Sequence, residues 1–295
     1  MRLISIFLWQ NGPIALSPRV RIKSMQHAQQ NQTDLVVRRA TPDDYPAFAR
    51  LFPELQVDDP VPGLERWVSA FVPSTWIAAR GEEILGYCYC QEYTEAGYVR
   101  NVVVAPTARR SGVGHALMLA TAESLRSRSK KSWRLNVKPD NRAALALYQR
   151  MGMRTKYLAQ ALRLPWAALK TLPIGDAVIQ DVMPNRDAEL EQLFDLPRGQ
   201  LAFARGSGRI LLEVISSSGQ PAMGLALFDP KIPSAFPFRA QAIDAVMPLL
   251  AAMRRHAPTD LHVNLVAEND EPLADLFKNA GASLKHEIIH MEGAL

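Results

Sequence analysis

Residues 102–117 read VVVAPTARRSGVGHAL. An apolar strand ends at Val104, a basic loop follows, and a helix opens on Gly112 and Gly114. Successive N–H groups at a helix start point outward, the dipole adds partial positive charge, and glycine lets the backbone approach an anion closely or take a positive φ. Arg109, Arg110, Ser111, Gly112, Val113, Gly114 and His115 therefore form a candidate phosphate cradle. No Gly-Lys-Ser/Thr follows, which excludes a Walker loop, and Leu117 stands where a dinucleotide fingerprint needs a third Gly or Ala. An ordinary tight turn would also satisfy a lone G-x-G, so the flanking sequence has to decide.

Upstream, residues 36–40 (VVRRA) read as a strand, followed by Thr41-Pro42-Asp43-Asp44, a helix start with a cap, a first-turn proline and acids at the positive end of the dipole. Phe48, Leu51, Phe52 and Leu55 recur at helical spacing, and Leu64, Trp67, Val68 and Phe71 give a second short stripe. TWIAAR, ILGYCYCQEY and YVRNVVV then form three strands joined by short turns. After the cradle come a helix to about Arg128, the strand SWRLNVK, a helix from Asn141 to Arg150 and an extended run from Met153 to Leu164. The order is βααβββαβαβ: an α/β (α+β) fold with a mixed, mostly antiparallel sheet flanked by helices.

Residues 165–175 (PWAALKTLPIG) read as a linker, after which the pattern returns. Val178 to Phe194 superimposes without gaps on Val36 to Phe52, aligning Pro184 with Pro42 and Phe194 with Phe52. Residues 270–281 (DEPLADLFKNAG) lie over residues 141–152 (NRAALALYQRMG), aligning Phe277 with Tyr148 and Gly281 with Gly152. The chain is thus expected to be duplicated in tandem: an arm over 1–35, a first domain over 36–164, a linker over 165–175 and a degenerate copy over 176–295.

Composition bounds the rest. The 295 residues suit about two domains, 48% hydrophobic content excludes a disordered chain, and no apolar stretch reaches the 18 or so residues of a membrane helix. Cys88 and Cys90 cannot build a disulfide scaffold and are expected to pack in a strand, which points to a reducing, cytoplasmic setting. The apolar run from Leu3 to Trp9 is too short for a signal peptide, and the arm reads as loose chain, with Met25 as an alternative start. Residues 100–165 hold fourteen basic and two acidic groups, whereas residues 36–99 hold five and ten. The cationic block suits a nucleotide-like polyanion.

The order of elements and the residues together resemble the GNAT superfamily of acetyl-CoA-dependent N-acetyltransferases. That family's pyrophosphate loop reads V-x-P-x-x-(R/Q)-x-x-G-x-(G/A), matched by Val104, Pro106, Arg109, Gly112 and Gly114. Its closing motif, N-x-x-A-x-x-L-Y-x-x-x-G-(F/M), is matched by Asn141, Ala144, Leu147, Tyr148, Gly152 and Met153. The resemblance implies acetyl-CoA as cosubstrate, with no metal. It implies that Val102, Val103 and Val104 splay from the neighbouring strand to bind pantetheine and polarise the thioester, that residues 109–115 hold the pyrophosphate, and that Asn141 meets the pantetheine amide. Tyr148 would protonate the departing thiolate.

An acceptor ammonium must lose a proton before it attacks. The position where the family often carries a carboxylate is Tyr98 here, so Glu92 and Glu95, nearest in sequence, stand as alternative bases, with solvated turn carboxylates as the bland reading. Glu54, Asp58, Asp59 and Glu65 would form an acidic wall suited to a cationic amine, amino acid or basic peptide. The second half lacks the glycines, and Phe277 and Asp270 replace Tyr148 and Asn141, so it is expected to bind no acetyl-CoA. The expected partners are a small-molecule or peptide amine, with no nucleic acid or membrane, in a monomer or homodimer. A non-catalytic acetyl-CoA or amine sensor on the same fold is the alternative function.

Overall fold

The computed structural model describes residues 34–56, 60–175, 177–215 and 223–295. The expected arm over residues 1–35 falls almost wholly outside them. The first half runs β1 (Leu35–Arg39), α1 (Tyr45–Leu51), α2 (Leu64–Arg66), which widens into a π-turn over Trp67–Phe71, β2 (Thr75–Arg80), β3 (Glu83–Glu92), β4 (Ala96–Val104), α3 (Val113–Ser127), β5 (Ser132–Val137), α4 (Arg142–Arg150) and β6 (Arg154–Pro165). The second half repeats this order as β7 (Val178–Asp181), α5 (Asp187–Leu193), α6 (Gln200–Gly206), β8 (Ile210–Ile215), β9 (Gly224–Asp229), β10 (Ser234–Ala240), α7 (Val246–Arg255), β11 (His262–Glu268), α8 (Glu271–Asn279) and β12 (Ser283–Ala294). Even the caps repeat: Asn141 accepts from the Ala144 N–H and Asp270 from the Leu273 N–H.

All twelve strands form one sheet in the order β1-β2-β3-β4-β5-β12-β6-β11-β10-β9-β8-β7. Only β4–β5 and β10–β11 are parallel. The last strands are exchanged between the halves. β12 pairs with β5 from Ile289–Val137 to Ala294–Ser132, β6 pairs with β11, and the two exchanged strands pair antiparallel with each other. The sheet therefore has a pseudo-twofold axis between β12 and β6. An axis there runs perpendicular to the sheet, so equivalent helices of the two halves share a face.

On one face, α1 and the π-turn cover β3: the Phe48 ring stacks on Trp67 and meets Tyr87 within 5.2 Å. On the other, α3 lies over β1–β4, with the Thr121 hydroxyl donating to Cys88 Sγ. Cys88 and Cys90 are free and buried. The exchange ties the cores together, since Met291 of β12 is buried in the first core while Leu162 and Leu164 of β6 are buried in the second. The expected linker is itself packed: a 3-10 helix over Trp166–Thr171 buries Trp166 and Ala168 against the second core. Its proline and glycine flanks suggested loop, but the apolar residues between them have a surface to cover. Among the described residues no helix is long and apolar enough to cross a membrane.

Met291→Ala should cost about 2–5 kcal/mol, as for a buried methionine, although it lies at the end of the opposite half. Urea unfolding would check this; a cost near zero would mean that β12 does not anchor the first core.

Candidate active site

The β4–β5 ladder holds four pairs and stops at Val99–Leu135. At that point β4 carries a bulge: Cys90 faces Val99, Tyr89 faces Asn101, and Arg100 is the extra residue between them. A bulge bends and twists its strand. Beyond it Val102, Val103 and Val104 stay paired with Cys88, Tyr87 and Gly86 of β3, and β5 departs. The result is a V-shaped opening, with backbone groups of β4 on its β5 side freed from the ladder.

The basic loop follows the V. Arg110 (φ 63°) and Gly112 (φ 87°) both take left-handed backbone, which glycine adopts without strain and arginine does not. Gly114 is needed for another reason, because a Cβ there would lie 3.2 Å from Leu147 of α4, where α3 and α4 pack closely. No side chain caps α3, so its first N–H groups remain available to an anion. Arg109 is held by Glu54 at 2.6 Å, and its Nε donates to the Val104 carbonyl. Arg110, Ser111 and His115 are exposed, and Arg110 makes no ion pair among the described residues.

Tyr148, on α4, is buried on the α3 side of the sheet. Burial, with Cys88 nearby, pushes its phenol well above the ordinary value, so it stays protonated. Asn141 is exposed and caps α4, its side-chain oxygen accepting from the Ala144 N–H at 3.2 Å.

The sequence-derived bases fall in the wrong place. Glu92 ends β3 and pairs with Arg128 at 2.6 Å, at the C-terminal end of α3. Fifteen residues of helix put that end about 22 Å from Gly112. Glu95 lies in the β3–β4 turn at the closed end of the V, and its exposed carboxylate is held below the usual range by Lys131. Sequence proximity misled because β4 carries the chain away from this turn toward the V. The acidic wall also dissolves in part: Glu54 is spent on Arg109, Glu65 is exposed, and Asp58 and Asp59 lie outside the described residues. Trp67 packs in the core.

What lies beside the V was missed by the sequence reading. On the α1 face, Tyr98 approaches His290 of β12 with ring centroids 6.2 Å apart, and His290 stacks on Tyr157 of β6 at 4.5 Å. His290 Nδ1 lies 2.8 Å from Asn136 Oδ1, so Nδ1 carries the proton and Nε2 a bare lone pair. Tyr157 donates to Glu268 at 2.6 Å, and Arg134 pairs with Glu292. Phe203 of α6 packs edge-on against Tyr93, bringing the second half over this chamber. Only the repeat itself could have hinted that β12 would enter the first half.

The equivalent opening in the second half is shut. β10 and β11 share two pairs, and beyond them Arg239 reaches across to Glu268 at 2.6 Å. The start of α7 has no glycine, and Gly175 packs directly against the Asp244 backbone there.

Residues 38–153 match the model of the Acetyltransferase (GNAT) family. This part of the chain is a GNAT domain. A mycothiol acetyltransferase from Gordonia bronchialis is 38% identical over 76 residues, which is 25% of this chain and 25% of that protein. The chain thus spans about a quarter of the length of the curated relative it matches. A Pyrococcus horikoshii protein assigned by inference to the acetyltransferases aligns with a TM-score of 0.66 at 17% identity, over 92% of this chain and 94% of its own. A tandem GNAT protein from the clavulanic acid biosynthesis pathway aligns at 0.57 and 14%, over 88% and 98%. At these identities the structures establish the fold alone, a tandem GNAT-like arrangement.

Burial, with Arg134, Lys156 and Arg239 nearby and Asp195 opposing, pushes the His290 imidazole down from 6.5 to about 3. The unfolded chain then binds more protons than the folded one between these values, so stability conferred at neutral pH is lost as pH falls through that window. His290→Gln should narrow the difference in urea midpoint between pH 7 and pH 4.5; an unchanged difference would mean that the imidazole is not held neutral.

Proposed function

We propose that the chain is an acetyl-CoA-dependent N-acetyltransferase with one working cleft per chain, formed by residues of the unit 36–164. The observation that carries this reading is the conjunction of three features on one path: the V beyond Val99–Leu135, the uncapped start of α3 and the protonated phenol of Tyr148. The residues fit the donor. N–H groups at Gly112 to His115, with Arg110, suit a pyrophosphate, and the freed β4 backbone at Val102 to Val104 suits an amide-bearing arm and a thioester carbonyl. Bound acetyl-CoA supplies an acetyl group activated as a thioester.

Within that arrangement the amine nitrogen forms a bond to the acetyl carbon as the carbon–sulfur bond breaks. The β4 backbone N–H groups stabilise negative charge on the carbonyl oxygen, Tyr148 gives its proton to the departing sulfur, and the proton shed by the acetylated nitrogen leaves through solvent water, from which the Tyr148 phenolate is reprotonated. The amine arrives from the opposite face, through the chamber that holds Tyr98 and His290. The unit 176–295 acts as its wall: it contributes His290, Glu268 and Phe203, and its own cleft is shut by Arg239 and Glu268. Buried free Cys88 and Cys90 suit a reducing, cytoplasmic setting.

Calorimetric titration of acetyl-CoA should give one site per chain, and two sites would overturn the single-cleft reading. Tyr148→Phe should lower kcat roughly 10²-fold, the lower end for a general acid, with unchanged acetyl-CoA affinity. Binding without thiol release over a broad amine panel would favour a sensor instead.

A further inference from the structure

The chamber between the halves has an imbalance of charge and of hydrogen bonds. Four of its cations can be traced to their partners. Arg134 lies 3.1 Å from Glu292, Lys156 meets Glu292 and Asp195 at 3.2 and 2.7 Å, and Arg239 meets Glu268. Arg209 donates to the Phe236 carbonyl and feels the field of Asp229. Arg100 differs. It is the bulge residue at the apex of the V, its guanidinium lies over the Tyr98 ring at 4.8 Å, and it makes no ion pair among the described residues. With Gln91, Tyr93, Phe203 and Arg209 it lines a small cavity beneath α6.

Beside Arg100, two buried polar atoms on the same face have no partner: Tyr98 Oη and His290 Nε2. Their residues are 5% and 2% exposed, so leaving them without a partner is costly. Nε2 can only accept, because Nδ1 holds the ring proton against Asn136. The chamber thus offers an acceptor of N–H bonds near the apex of the V and, one residue along β4, an unpaired guanidinium.

We propose that the acceptor is a small amine that also bears a carboxylate, with its nitrogen held at His290 Nε2 and Tyr98 Oη and its carboxylate on Arg100. A carboxylate matches the fork of a guanidinium and would be the one missing counter-charge of the chamber. A polycationic acceptor would meet Arg100, Arg134 and Lys156 together, and the acids that suggested such an acceptor do not face this chamber: Glu54 is engaged by Arg109, and Glu65 is exposed. The inference rests on the acetyl-transfer reading above and names its substrate class.

The test uses the full chain with acetyl-CoA, following thiol release with the protein amino acids as free acids and with the same amino acids as carboxamides. The carboxamide's amine is the less basic of each pair and more of it is unprotonated at neutral pH, so intrinsic reactivity favours the carboxamide. The wild-type chain should nevertheless prefer the best free acid in kcat/KM by roughly 10- to 100-fold, the range of one charge-assisted contact. Arg100→Gln should bring that ratio toward one, mainly through KM, and Arg100→Lys should restore part of it. Carboxamides used as well as free acids by the wild type, or a ratio that Arg100→Gln leaves intact, would overturn the proposal; the wild-type comparison decides even if the variants fold poorly. Transfer confined to polyamines such as spermidine would overturn it too, with acetyl transfer itself left standing. Absence of acetyl-CoA binding by calorimetry would instead bring down the underlying acetyl-transfer reading, and this proposal with it.

Discussion

The antiparallel pairing of β6 with β12 is the contact on which the rest of the molecule depends. β5 pairs with β4 along one side and would leave its other side an open edge, and an unpaired edge strand invites another strand. Each half meets this need with the other's last strand: β12 covers β5 and β6 covers β11. The exchange closes two edges at once, fuses two six-strand units into one sheet, and buries Met291 and Leu162 each in the core of the opposite half.

The same constraint shapes the site. Because the pseudo-axis is perpendicular to the sheet, α1 with its π-turn and α5 with α6 stand on one face, on either side of the exchanged strands. On that face a small cavity is lined by both halves, by Tyr93 and Arg100 of one and Phe203 and Arg209 of the other, and His290 stacks on Tyr157 along the exchanged strands. The opposite face carries α3 and α4, and with them the cradle and Tyr148. The V joins the two faces, which is the geometry a donor and an acceptor need if they are to meet from opposite sides. The bulge at Arg100 serves both, since it bends β4 out of the ladder and projects a cation toward the chamber.

The two halves show how a duplicated fold divides labour. The second half keeps the elements that hold its own core, including the Asp270 cap and buried Phe277, and starts α7 without the glycines that open α3. Arg239 and Glu268 cross the place where its V would open, and the chain before β7 lies against the start of α7. The second half supplies strand β12 and helix α6 to the first.

The local elements were legible because each depends on near neighbours: helical stripes, turn residues, the left-handed glycine at Gly112 and the cap at Asn141 all act within a few positions. The glycine-bearing turn before α3 and the tandem repeat were readable for the same reason, one as a short motif and the other as a pattern compared with itself. The base candidates Glu92 and Glu95 and the wall at Glu54 failed because sequence proximity does not tell which end of a strand or helix a side chain occupies. Nothing in residues 283–294 marks β12 as a partner of β5, since two apolar strands of similar alternation can pair with either half. The sequence by itself determined the elements, the duplication and the glycine turn that opens α3; tertiary structure alone decided the exchange and the meeting of the two halves, because edge pairing is settled by which surfaces remain unsatisfied once both halves have folded.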